Sequence, residues 1–343
     1  MFSIDELDTP VLVAPMAGGP STPELVAAVA NVGGLGFLAA GNKLAVAMAE
    51  EIQRTSSLTH RPFGVNLFVP AGNVTRDSEL QTALAAYREE LQAEARRYGC
   101  ELPETNPDAR DDWEAKIAYL LEHPVPFVSF MFGCPDASTI SALHDAGTSV
   151  IVTVTDVDEA LVAIAHGADA LCVQGPEAGG HRGTHLVDKV PDQRPLVELL
   201  RTMREVTTLP LVAAGGITKA DHVADVIDAG AAAVQVGTAF LRSPECGASH
   251  LHKDALASGN YTETRVTRAY TGRLARGLVN RFLDAHHESA PAAHPELNQL
   301  TRPLRSAAAA AGDPEGMALW AGVHFRDAEA MPAASILQAL WPS

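Results

Sequence analysis

Residues 168–185 read ADALCVQGPEAGGHRGTH. The run Ala170-Leu171-Cys172-Val173 is short and apolar and stops at Gln174-Gly175, the pattern of a buried strand. Gly179, Gly180 and Gly183 then surround His181 and Arg182. Glycines just beyond a strand let the backbone approach a ligand closely, and a histidine among them can titrate near neutral pH. The stretch therefore places a possible acid/base group at a strand end, beside a backbone surface able to hold an anion or a planar cofactor. The plainer alternative is a glycine-rich turn with a surface histidine.

The same alternation recurs on both sides of this stretch. Upstream, apolar runs at 11–15, 35–40, 63–69, 127–133 and 149–155 read as strands. Between them lie helices over 23–32, 43–55, 136–146 and 156–167. Ser21 or Thr22 before Pro23-Glu24 is a helix start signal, and Gly33-Gly34 a stop. Downstream, a helix at 194–206 leads to a strand at 211–216. A helix at 219–229 then leads to a strand at 232–238. Strands alternating with helices imply parallel pairing with right-handed crossovers. Eight such strands predict an α/β fold, a (β/α)8 TIM barrel. An open doubly wound sheet is the alternative, weakened because the N-terminal GGLG is not GxGxxG.

Residues 70–124 interrupt the rhythm with DSELQTALAAYREELQAEARRYG, one long amphipathic helix, and DARDDWEAKIAYLLEH, another. The expected organisation is a barrel built from 1–69 and 125–242, a helical insertion at 70–124, and a mainly helical C-terminal region at 243–343. In that last region HLHKDALASG, Leu304–Ala311, GMALWAG and AASILQALW read as helices. Together with the insertion they are expected to form a smaller cap over the barrel mouth.

Composition narrows the function. The 343 residues are 47% hydrophobic and 20% charged, so a large core is expected and global disorder is not. A net charge of −17 argues against nucleic acid or an anionic membrane surface as the main partner. No apolar run approaches the roughly 20 residues of a membrane span. MFSIDELDTP lacks a signal-peptide core. Four scattered cysteines form no CxxC pair, so a disulfide framework and a zinc site are both poor readings. A cytoplasmic setting is the expectation. No HExxH or GxSxG occurs, so neither a metalloprotease nor a serine hydrolase has support, and no metal is expected.

In a barrel, chemistry sits at the C-terminal strand ends. There the chain offers Pro15 to Gly19, Asn66, Phe132-Gly133, Thr155, Gln174 with Gly179-Gly180-His181, Gly215-Gly216 and Gly237-Thr238. A phosphate commonly binds after the seventh and eighth strands through backbone N–H groups, which is the placement of Gly215-Gly216 and Gly237-Thr238. The amides of Asn66 and Gln174 can read the edge of a flavin pyrimidine or cap backbone groups. His144 and His166 fall on predicted helices. Arg265, Arg268, Arg273 and Arg276 are expected mainly to form ion pairs.

PMAGGPSTPELVAAVANVGGLG (15–36), FGVNLFVP (63–70), VSFMFG (128–133), QGPEAGGHRGTH (174–185), PLVAAGGI (210–217), VQVGTAFL (234–241) and TGRLARGLVNRF (271–282) together resemble the nitronate monooxygenases. The resemblance covers nearly the whole chain in order. It implies non-covalent FMN, with Asn66, Gln174, Gly179, Gly216 and Gln235-Val236-Gly237-Thr238 in contact with it and His181 as catalytic base. It also implies oxidation of an alkyl nitronate, propionate 3-nitronate being one candidate, by O2 to a carbonyl compound and nitrite. One-electron transfer to the flavin would begin the reaction. Met131, where Thr is common, and Val323, where Gln is usual, depart from the family pattern. The nearest rival is an NAD(P)H-dependent flavin reductase acting on enoyl-acyl carrier protein or quinone. A cofactor-free lyase or isomerase and a non-catalytic flavin-binding protein rank lower. Oligomeric state is not legible.

Overall fold

A computed structural model describes residues 3–70 and 78–342. Residues 71–77 of the expected insertion, including Asp77 at the start of its first helix, lie outside the described residues.

Eight strands close the barrel. In chain order these are β1 (Val11–Val13), β2 (Leu35–Ala39), β3 (Gly64–Phe68), β4 (Phe127–Met131), β5 (Ser149–Val154) and β6 (Ala170–Gln174), followed after the short β7 (Gly180–His181) by β8 (Leu211–Ala214) and β9 (Ala233–Val236). All neighbours are parallel, and β9 returns to β1 with Leu12 opposite Gln235. Closure decides between the two expected folds: the sheet is a (β/α)8 barrel, not an open doubly wound sheet.

Strand side chains alternate between the barrel interior and the helix layer. Leu12, Leu35, Phe37, Phe127, Ile151, Ala170, Cys172, Val212 and Ala233 fill the interior as a dry cluster. Two residues beyond Phe127, Ile151, Cys172 and Ala233, on the same inward face, come Ser129, Thr153, Gln174 and Gln235, and Asn66 on β3 stands level with Ser129. The barrel is thus apolar below and polar at its C-terminal mouth.

The helices are α1 (Pro23–Ala30), α2 (Ala45–Leu58), α3 (Ser78–Glu90), α4 (Gln92–Tyr98), α5 (Trp113–Glu122), α6 (Ala137–Asp145), α7 (Val157–His166), α8 (Leu196–Val206), α9 (Ala220–Asp228), α10 (His250–Ala257), α11 (Arg281–His286), α12 (Glu296–Ala310) and α13 (Ala333–Leu340). Local chemistry sets their ends. Thr22 caps α1, accepting from the Leu25 N–H, and Asp156 caps α7, accepting from that of Glu159. Gly167 closes α7 at φ +98, where a side chain would be strained.

Two ring helices come from segments that read as additions. α5, from the insertion, packs between α2 and α6, with Leu120 in the main core. α13 packs on α1 and α9 rather than over the mouth, burying Ile336, Leu337 and Leu340. A Cβ at Gly34 would stand 2.4 Å from Leu337 Cδ1, so glycine there is what admits α13. A second core joins α3 and α4 to α11 and α12 through Tyr87, Leu91, Phe282, Leu297 and Leu304.

Other differences have simple causes. The long helix of the insertion divides into α3 and α4 at Leu91, although Leu91 N–H still donates to Tyr87 and Ala95 N–H to Leu91. GMALWAG forms no α-helix: a 3-10 turn ends at Gly316, and beyond it Trp320 bridges Gly277. The arginine-rich stretch forms two strands, β10 (Thr264–Thr267) and β11 (Ala275–Leu278), which make an antiparallel sheet with β7. Both are short and lack a repeating apolar face, so their pairing partner rather than their pattern makes them strands. No described helix is long and apolar enough to cross a membrane.

Candidate active site at the barrel mouth

His181 stands on β7, paired through Ala275 to β11. Its Nε2 lies 2.8 Å from Thr271 Oγ1. The Phe132 ring meets it edge-on at 5.6 Å, and Trp320 lies at 5.3 Å. Burial, then the positive charge of His294, Arg273 and Arg305, pushes its pKa down to about 3. The imidazole is therefore neutral at physiological pH and can accept a proton. Thr271 Oγ1 is also 3.4 Å from the Arg273 carbonyl. With its proton on that carbonyl, Thr271 accepts from Nε2–H and leaves Nδ1 as the free base.

The loop that carries His181 is fastened from both ends. Gln174 Nε2 donates to the His181 carbonyl at 2.8 Å, and its Oε1 accepts from Gly183 N–H at 2.8 Å and Arg182 Nε at 3.3 Å. Both ends of this amide are thus engaged by the loop. Glu159, 3% exposed, accepts from Thr155 N–H at 2.7 Å, Thr155 Oγ1 at 2.8 Å and His185 N–H at 2.9 Å. Its position on α7 gave no sign of this in the sequence.

The other candidate residues gather at the same rim. Asn66 is 2% exposed and donates to Ser129 Oγ at 2.9 Å and to its carbonyl at 3.2 Å. Gln235 shares the inward face with Ala233, is half-buried, and its amide has no hydrogen bond among the described residues. Val236 points the other way, into the helix layer, and offers the mouth only its backbone. Gly180 has φ +74 and Gly18 φ +88, with nothing within 4 Å of a Cβ at either. Gly215 and Gly216 have φ +122 and +69, and a Cβ there would strike Ala178 or Glu177 at 2.9 Å. The Gly216 carbonyl accepts from His324 Nδ1, and Thr238 Oγ1 from Gly322 N–H. A Cβ at Gly179 would lie 2.5 Å from Gly322 N. The segment 320–324 therefore crosses over the ends of β6, β8 and β9.

A family model described as nitronate monooxygenase matches residues 3–343. The chain belongs to the nitronate monooxygenase family. A probable nitronate monooxygenase from Staphylococcus aureus is 38% identical over 339 residues, covering 96% of this chain and 93% of that protein. The solved nitroalkane oxidase of Streptomyces ansochromogenes superimposes with a TM-score of 0.92 at 48% identity, over 98% of this chain and 95% of that one. FabK from Thermotoga maritima, at 24% identity and a TM-score of 0.73 over 98% and 93%, shares the fold. Family membership makes this chain an oxidoreductase of the flavoenzyme kind.

Beside the mouth of this nitronate monooxygenase barrel lies a cleft of about 660 Å³, lined by Phe68, Phe132, Arg273, His294, Asn298 and Arg302 and by the 107–112 stretch. Phe132 holds φ +72, a conformation costly for an aromatic residue. It aims the ring between Phe68, at 4.6 Å, and His181. His294 donates from Nδ1 to the Thr271 carbonyl at 3.0 Å, and burial takes its pKa down to about 4.

The expectation of ion pairs in the arginine-rich stretch holds only for Arg265, which pairs with Asp284 at 2.8 Å and Glu263 at 3.1 Å. Arg268 donates to the Val187 carbonyl at 2.7 Å, Arg273 to that of Thr184 at 2.9 Å, and Arg276 to that of Pro176 at 3.0 Å. The small sheet faces the 175–188 loop, whose carbonyls supply the acceptors. His144 and His166 lie away from the mouth on α6 and α7, bonded to Asp169 and to the Pro135 carbonyl. Sequence reading missed Thr271, His294 and Trp320 as neighbours of His181. Only the TGR of the family-like stretch pointed toward them.

Proposed function

We propose that this chain oxidises alkyl nitronates with O2 to carbonyl compounds and nitrite, using FMN held across the barrel mouth, and that propionate 3-nitronate is among its substrates. The observation that carries the reading is His181, kept neutral in an aromatic pocket on the loop that leaves β6. When bound, the flavin would take electrons from the substrate and pass them to O2.

The residues at the mouth fit such a group. The unpartnered Gln235 amide and the Asn66 amide suit the polar edge of the ring, over an otherwise apolar barrel. Gly179 and Gly180 supply backbone close to a ring face. Gly215, Gly216, Val236, Gly237 and Thr238, at the ends of β8 and β9, suit the phosphate. Gln174 is a positioning residue in this scheme, because its amide is spent on the His181 loop.

A neutral nitroalkane must lose its α-proton before oxidation, and His181 would accept it. Proton transfer from a neutral acid creates an anion beside the new imidazolium, so the pair is neutral overall and burial opposes it far less than an isolated cation. A nitronate arrives without that proton and needs no base. His181→Asn should therefore lower turnover of a neutral nitroalkane by about 10²- to 10⁴-fold and turnover of its nitronate much less. Equal losses on both would remove His181 from the base role. Anaerobic mixing of the flavin-loaded protein with propionate 3-nitronate and, separately, with NADPH tests the reaction. Flavin spectral change with the nitronate alone supports it, and rapid full bleaching by NADPH alone would make the chain a reductase.

A further inference from the structure

Arg273 is a buried cation without a counter-ion. It is 1% exposed, yet it lines the cleft beside His181. Its Nη1 donates to the Thr184 carbonyl at 2.9 Å, and its Nε is buried without a hydrogen-bond partner. The guanidinium carbon stands 4.2 Å above the Phe132 ring. No carboxylate contacts the guanidinium among the described residues. Of the charged groups that influence it, Arg268 is repulsive, and Glu159 is spent on Thr155, His185 and Lys189. A guanidinium left this way is costly unless an anion completes it.

The position says which anion. The cleft opens over Phe68 and Phe132, just beyond β3 and β4. In the closed barrel β3 and β4 lie across from β8 and β9, whose glycine ends suit a phosphate. Arg273 is therefore on the wrong side of the mouth for that phosphate and on the right side for a small anion entering by the cleft. A nitronate spreads its charge over two oxygens on one nitrogen, a planar pair that matches the guanidinium fork. Arg302, exposed at the cleft rim with no ion pair among the described residues, is a second cation of the lining, which also holds Asp108, Asp111 and Asp112.

We propose that Arg273 is the anion receptor of this site, binding the nitro oxygens of the substrate at the floor of the cleft and favouring the nitronate over the neutral nitroalkane. The proposal deepens the nitronate reading and rests on it for the identity of the anion, not for the existence of the site. A residue that merely clamps Thr184 and Phe132 would not affect binding of a small anion.

The test uses nitrate, a planar monoanion with the same oxygen geometry, titrated calorimetrically into flavin-loaded wild type, Arg273→Gln and Arg273→Lys at constant ionic strength. Loss of a charge-assisted contact should weaken nitrate about 10- to 100-fold in R273Q, with R273K in between. The KM for nitronate should rise by a similar factor while kcat changes less, and nitrate should compete with nitronate in the wild type. Unchanged nitrate affinity in R273Q overturns the proposal. Should R273Q not fold, R273K with wild-type affinity does the same. Non-competitive nitrate in the wild type overturns it without any variant. A wild type that binds nitrate through Arg273 but does not turn over nitronate upholds the anion site and refutes the nitronate reading instead.

Discussion

Glu159→Gln isolates the tie between the His181 loop and the barrel. Glu159 Oε2 accepts from Thr155 N–H and Oγ1, and Oε1 accepts from His185 N–H and sits 3.4 Å from Lys189 Nζ. All four partners are donors, so only an ionised carboxylate satisfies them together. Glutamine keeps the shape and loses an acceptor. If its oxygen stays on Thr155, its NH2 confronts the His185 N–H and the Lys189 ammonium. If it turns, the NH2 confronts the Thr155 N–H. Either way a charge-assisted bond is lost, worth about 1.5–3 kcal/mol, and a buried N–H is orphaned at a cost of about 1–3 kcal/mol. A net loss of at least about 3 kcal/mol, toward the lower end of the combined range, is expected. Unfolding entropy of about 2.1 cal/mol/K per residue gives roughly 0.7 kcal/mol/K for a chain of this length, so Tm should fall by about 4 °C. Thermal unfolding followed by circular dichroism on the flavin-loaded protein measures this, and under the proposed function nitrite formation should fall with it because the loop carries His181. Thr155→Val alone should cost about 1 kcal/mol, and the double variant should be non-additive by at least about 0.5 kcal/mol. A Tm within 1 °C of wild type for Glu159→Gln would show that the carboxylate does not hold the loop to the barrel.

Acid should destabilise the fold before most carboxylates titrate. Burial depresses His181 to about 3 and His252 and His294 to about 4, below the ordinary 6.5. Between those values the unfolded chain binds protons that the folded one does not, so stability present above about pH 6.5 is lost as pH falls toward 4. The slope approaches about 1.4 kcal/mol per pH unit for each histidine. Tm measured from pH 7.5 to 4.5 should drop steadily, and a flat profile would show these histidines to be protonated in the fold. Gly179→Ala should drive the 320–324 segment off the strand ends, because its Cβ would stand 2.5 Å from Gly322 N and 2.6 Å from the Ala321 carbonyl carbon, neither able to yield like a side chain. A destabilisation of about 1–3 kcal/mol and loss of the flavin on gel filtration are expected, and full flavin retention at wild-type Tm would show that the segment is not held there.

The candidate site was partly legible for a local reason. Gln174, Gly179 and His181 sit within one strand–loop unit, and Gly215-Gly216 and Gly237-Thr238 end strands that declare themselves by apolar runs. What an amide does with its hydrogen bonds is not local. Gln174 and Asn66 both qualified as ring contacts by position. Only the fold shows Gln174 closing its own loop, Asn66 holding Ser129, and Gln235 left with a free amide. Thr271, His294 and Trp320 reach His181 from 90 or more residues away in sequence, and no spacing rule connects them.

The eight buried strands, the helices between them and the glycine-rich loop around His181 are legible in the amino-acid sequence, because each rests on short-range periodicity and on glycine or capping chemistry within a few residues. Tertiary structure alone decided who packs on whom. α5 and α13 read as parts of an insertion and a cap, yet both complete the helical ring. Their amphipathic patterns say only that one face is buried, not against what. β10 and β11 become strands because β7 and the 175–188 loop offer edges and carbonyls to pair with. The same non-local pairing leaves Arg273 buried beside His181 with a proton donor to spare, a property that belongs to the assembled mouth and to no segment of the chain.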